Sequence, residues 1–226
     1  MKKILTIIII AIFSLSSYAQ KDVTKFLGIP VEGTKDEMIQ KLKEKGFKTS
    51  VIDKDFLEGE FNGRDVRIQV VTNNNKVYRI VVTDVSSSDE SGIKIRFNKL
   101  CQQFNKNDKY ITSDDYTIEE DEDISFEISA HAKRYQALFK QKPDMSNPLD
   151  ISKIIAEKAM QKYSLEQLNN PTDEINQYLM DLTIETVDDI CNHKLVWFMI
   201  IQDRYDEYRI AMFYDNEYNH ADGEDL

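Results

Sequence analysis

Apolar residues recur along this chain with two periods, and the switches between them mark out its elements. From Thr34 the spacing is helical. Met38, Ile39 and Leu42 share one face, Thr34-Lys35-Asp36-Glu37 has the form of a capping box, and Gly46 supplies a left-handed stop. Period two follows: Val66, Ile68 and Val70 alternate with Asp65, Arg67 and Gln69, which predicts a strand with one dry and one wet face. Asn62-Gly63 before it is a strong hairpin signal, and Asn73-Asn74-Asn75 predicts the turn into a strand bearing Tyr78, Ile80 and Val82.

After Ser86-Ser87-Ser88 the helical period returns, with Ile93, Phe97, Leu100, Cys101 and Phe104 on one face. Ile124, Phe126 and Ile128 alternate, as do Tyr135, Ala137 and Phe139, so a second hairpin is expected over 124–141 with its turn at His131-Ala132-Lys133. Pro143 and Pro148 punctuate the chain before a helix carrying Ile151, Ile154, Ile155 and Ala159. Leu195 to Ile201 is apolar on both faces, as in a covered central strand, and Tyr208, Ile210 and Met212 alternate in the last strand.

A shift of the chain by 130 residues lays Asn62–Ile80 over Asn192–Ile210 without a gap. Val66 meets Val196, Ile68 meets Phe198, Asn73 meets Asp203 at the turn, and Tyr78-Arg79-Ile80 meets Tyr208-Arg209-Ile210. The same offset sets Thr34 over Ser164, where Ser164-Leu165-Glu166-Gln167 also fits a capping box. The pattern predicts an α+β protein of two duplicated helix-plus-antiparallel-sheet units packed together. Their expected spans are 20–142, including an extra helix and hairpin, and 143–226.

Residues 1–19 stand apart. Lys2 and Lys3 precede an apolar run from Ile4 to Phe13, and Ser17-Tyr18-Ala19 places small residues at a cleavage site. This is the layout of a signal peptide, with a run too short to span a bilayer, and Gln20 in place of cysteine argues against a lipid anchor. The expected product is exported, soluble, and periplasmic or secreted, with no membrane insertion after cleavage.

Removal of that leader leaves 207 of the 226 residues. Without Lys2 and Lys3 the 29 basic residues fall to 27, against 40 acidic ones, for a net charge of −13. Such a field repels phosphate backbones, so no nucleic-acid partner is expected. Cys101 and Cys191 remain after export, where a disulfide between them is one reading. Cys101 also falls on the apolar face of its helix, so a buried thiol is the other.

No phosphate loop, nucleophile elbow or zinc helix occurs. Cys191 and His193 have the bare outline of a nucleophile and base, but the repeat sets them over Phe61 and Gly63 at a plain turn. Glu119 to Asp123 is an unbroken acidic run, and Asp215-Asn216-Glu217-Tyr218-Asn219 begins like a calcium loop before His220 takes the place of its glycine. Solvated loops are the simpler reading of both, and no metal or cofactor is expected. Trp197, Tyr205, Tyr208, Tyr214 and Tyr218 cluster late in the chain and form a candidate partner surface, although strand alternation turns about half of them to the core.

The opening Phe26-Leu27-Gly28-Ile29-Pro30-Val31-Glu32-Gly33-Thr34 resembles that of small exported proteins of unknown function from Gram-negative gut bacteria. So does the ending, Val196-Trp197-Phe198 followed by 213–226. The helix-plus-strand repeat is similar in layout to the β-lactamase-inhibitor-protein-like (BLIP-like) fold group. That resemblance implies a concave sheet able to grip a partner and transfers no function. The expectation is a non-enzymatic binding module for an unknown protein or polymeric ligand. The alternatives are a small hydrolase built from unrecognised acids and His193, or a cell-envelope structural or chaperone-like protein.

Overall fold

The computed structural model describes residues 21–144, 148–204 and 206–220. The expected leader, Tyr205 and the last six residues lie outside them. The fold is mixed α+β and divides into two compact units, one of residues 143–192 with Asp22, the other of residues 23–142 with those from His193 onward.

The larger unit is an antiparallel sheet with helices on one face. Strands β1 (Lys25–Phe26) and β2 (Ile29–Pro30) form a small hairpin that leads into helix α1 (Lys35–Glu44). Next come β3 (Lys48–Thr49), β4 (Phe56–Phe61), β5 (Arg64–Asn73), β6 (Lys76–Asp84) and helix α2 (Glu90–Asn105). Then follow β7 (Tyr110–Ile111), α3 (Ile124–His131), β8 (Gln136–Gln141), β9 (Lys194–Arg204) and β10 (Glu207–Asn216). The eight-stranded sheet has the order β3-β4-β5-β6-β10-β9-β8-β7.

The local signals act as their chemistry requires. Thr34 accepts the Glu37 amide while Glu37 receives the Thr34 amide, which starts α1 and buries Met38 and Leu42. Asn62 and Gly63 take φ of 52° and 71°, and Asn74 and Asn75 take 47° and 61°, as tight hairpins with a matching twist demand. Ile93, Phe97, Leu100, Cys101 and Phe104 of α2 meet Phe198, Met212 and their neighbours in one core. Phe104 anchors it, with ring centroids 4.7 Å from both Phe139 and Tyr110 and 5.6 Å from Phe198. Arg96 on α2 adds a buried pair, with both nitrogens 3.3 Å from the Asp84 carboxylate. Losing one member of such a pair costs about 3–5 kcal/mol.

The two long hairpins share one register under the 130-residue shift. Ile68 opposes Val82 as Phe198 opposes Met212, and Val70 opposes Ile80 as Ile200 opposes Ile210. Where β6 meets β10, Val82 faces Met212, its own counterpart under the shift, so an approximate two-fold axis passes between them.

Beyond the hairpins the two halves of the expected repeat differ. The positions equivalent to β4 are helical, and the Ser164 box opens a helix of only five residues. Asn192-His193 is a helix-to-strand junction instead of a hairpin turn. Strands β9 and β10 lie inside the common sheet, and the chain changes unit at the expected 142/143 and again at 192/193.

The hairpin expected over 124–141 is also corrected. Its first arm is α3: Asp123 caps the Phe126 amide at 2.8 Å, Ile124 and Ile128 lie one helical turn apart, and Ala132 ends it at φ 51°. Only Ile124 and Ile128 share a helical face, Phe126 between them being 55 % exposed, and the cap decides for the helix. The second arm is the expected strand, with Ala137 and Phe139 buried.

The smaller unit holds α4 (Pro148–Met160), α5 (Leu165–Asn169) and α6 (Asp173–Asn192). Ala159, Leu168, Ile175 and Leu182 form its core, bordered by Tyr163 and Tyr178 in an edge-on pair 5.3 Å apart. No described helix is long and apolar enough to cross a membrane.

Gly59 gives a direct test of the sheet packing, because a Cβ there would stand 2.5 Å from Cδ1 of the buried Phe47 ring. Gly59→Ala should destabilise the protein by about 1–3 kcal/mol in urea unfolding, and an unchanged midpoint would show that the ring moves aside freely.

Candidate functional site

The late aromatic residues do not form one surface. Successive side chains of β9 and β10 point to opposite faces, and the pairing of Val196 with Tyr214 and of Trp197 with Phe213 sets which go where. Tyr208 is fully buried, 2.6 Å from Ser125 Oγ, and Tyr214 faces the core on the same side. Trp197 lies on the other face, stacked on Phe213 at 3.9 Å. Tyr218, in a 3-10 turn after β10, stacks on His193 at 4.1 Å. Tyr205 lies outside the described residues.

Around Trp197 the polar groups are all engaged. Its Nε1 donates to Asp215 Oδ2 at 2.8 Å, and Arg79 grips the same carboxylate at 2.6 and 2.7 Å. The Arg79 guanidinium also lies 5.2 Å from the Phe213 centroid and 5.6 Å from that of Trp197. Its pKa is raised, chiefly by the hydrogen bond to Asp215. The arrangement pins β6, β9 and β10 together and spends its donors within the protein.

The acidic runs have comparable internal duties. Asp123 caps α3, Glu122 binds Lys133 and Tyr135, and the Glu120 and Glu122 carbonyls accept Lys94 Nζ at 2.8 and 2.9 Å. In the late segment Asn216 donates to the Val31 carbonyl at 2.7 Å and Asn219 to that of Val77 at 2.9 Å, so both amides fasten the chain end to the sheet. Among the described residues no group of three acidic, histidine or cysteine side chains is placed to hold a metal.

Cys101 and Cys191 are both buried thiols, so neither belongs to a disulfide among the described residues. Burial pushes the Cys101 thiol up to about 12, which leaves it without nucleophilic character at neutral pH.

Tyr214 leads to a site with room for a ligand. Beside it an open pocket of about 210 Å³ is lined by Phe61, Asn62, Gln103, Phe104, Asn107, Tyr110, Met212 and Tyr214. Four elements converge here: the β4–β5 turn, the C-terminal end of α2, β7 and β10. Phe26, 4.8 Å from Tyr214 and 5.2 Å from Phe61 between ring centroids, backs two of the walls, while Phe139 stacks behind Phe104. The walls are thus aromatic and held from behind, and the rim carries three amides without a charged lining group. Burial raises the pKa of both phenols, Tyr214 the more strongly. Tyr214 alone was singled out by sequence. Asn62 read as a turn residue and Phe104 as part of a helix face, and nothing in their spacing shows that they converge.

Compared with known proteins, the chain matches no protein family, no curated protein and no solved structure.

Near the chain end, burial and then the Asp215 charge raise the Glu217 carboxyl above its ordinary 4.5, against the opposing pull of His220, Arg79 and His193. The folded state therefore holds this proton more tightly than the unfolded chain, and stability from this group falls as pH rises from 4.5 through the folded value. Glu217→Gln should raise the unfolding temperature at pH 7 and leave it unchanged well below pH 4.5. A loss of stability at pH 7 would contradict that sign.

Proposed function

We propose that the protein is an exported, non-enzymatic binding module that receives one projecting ring of its ligand in the pocket beside Tyr214. The observation that carries this reading is the pocket's construction, rigid aromatic walls beneath an uncharged amide rim. Its volume of about 210 Å³ lies below the roughly 300–1,000 Å³ typical of drug-sized ligands. One ring fits, so a protein or polymeric ligand would be held by a single residue or end group. Its only ionisable lining groups are two phenols, protonated at neutral pH and held further from ionisation by burial, which suits recognition better than proton transfer. The shared register of the two hairpins supports descent by duplication of the hairpin, the part of the BLIP-like layout retained in this proposal.

Export rests on residues 1–19. Sequencing the N-terminus of the protein from its producing cells should read Gln20-Lys21-Asp22, and a chain beginning at Met1 would remove the exported half of the proposal. For the binding half, a photo-reactive phenylalanine analogue in place of the exposed Lys106, beside the rim residue Asn107 but outside the lining, should capture the same ligand repeatedly in the native envelope. The same analogue at the exposed Asp36 should not. Equal capture from both positions would dismiss the pocket as the binding site.

A further inference from the structure

Resting on the pocket reading above, we infer that the ring it selects is an uncharged hexopyranose, free or at the end of a glycan. The rim is laid out for hydroxyl groups. Asn62 Nδ2 donates to Gln103 Oε1 at 2.9 Å, which leaves Asn62 Oδ1 to accept and the Gln103 amide to donate. Asn107 Oδ1 accepts the Lys109 amide at 3.1 Å, so its NH2 remains available. Tyr110 OH receives Gln141 Nε2 at 3.2 Å and keeps its own proton to donate, and Tyr214 also lines the pocket.

A ligand filling this space must satisfy those groups and also present an apolar face to Phe61, Phe104, Tyr110 and Tyr214. A phenyl ring meets only the second demand and makes no use of the rim amides. A phosphate or carboxylate meets only the first and finds no cation in the lining. A pyranose meets both, with axial C–H groups on its faces and hydroxyls around its edge. The walls are braced by Phe26 and Phe139 before any ligand arrives, so little ordering is needed on binding.

The test is a chemical-shift titration of the purified protein with methyl hexopyranosides, the matching trisaccharides, glucuronate and N-acetyl-phenylalaninamide. Neutral glycosides should shift the side-chain amides of Asn62, Gln103 and Asn107 saturably. Glucuronate should bind at least about fivefold more weakly. Tyr214→Phe should weaken the best glycoside about tenfold, and Gln103→Trp, an exposed change that fills the mouth, should abolish the shifts. A trisaccharide binding as its monosaccharide does would support a free or terminal ring, while tenfold tighter binding would overturn that placement. Shifts from the phenylalanine amide and none from sugars would overturn the sugar assignment and leave the pocket standing. No shift at the rim from any probe would overturn both.

Discussion

The structure depends on one long-range strand pair. β6 and β10 meet with Val82 opposite Met212, and through that seam an N-terminal meander and a C-terminal hairpin become one sheet. The β4–β5, β5–β6 and β9–β10 pairings are local hairpins that could form early and β8–β9 joins residues 55 to 63 apart, whereas this pairing joins residues 128 to 136 apart in sequence. Its loop-closure entropy has to be met by burial, and the core arranged along the seam meets it. Phe97, Leu100 and Phe104 of α2 pack with residues from both sides, including Ile80, Phe198 and Met212. The pocket beside Tyr214 is a product of the same seam, because one wall comes from the β4–β5 turn and another from β10.

The legible parts of the fold were those whose cause is local. The Thr34 box, the Asn62-Gly63 turn and the α2 stripe each need only a few neighbouring residues, and each is where its pattern placed it. The segment from Ile124 failed for a related reason: two of its three alternating apolar residues, Ile124 and Ile128, also suit one helical face, and a single capping aspartate tips the balance. The repeat was partly legible. Its two hairpins share a register, but matching side-chain patterns could not say that the residues equivalent to β4 would be helical.

The candidate site was legible only at Tyr214. Alternation along β10 correctly warned that some late tyrosines face inward, and Tyr208 and Tyr214 do. What periodicity cannot supply is which distant segments converge on them. Asn62, Gln103, Asn107 and Tyr110 belong to elements brought together by the seam, and their amides and phenol carry no recognisable spacing. The aromatic cluster at Trp197 shows the converse. A conspicuous group of residues in sequence proves to be occupied with its own Arg79–Asp215 pair.

Both margins of the eight-stranded sheet are strands of only two residues, Lys48–Thr49 at one side and Tyr110–Ile111 at the other. β3 pairs with only Leu57 and Glu58 of β4, and β7 with only Lys140 and Gln141 of β8, so each margin is stepped rather than straight, and at one of them stands a solvated lysine. The consequence is colloidal. A broad sheet ordinarily invites end-to-end growth, but a stepped margin gives a second copy no long straight edge strand to extend.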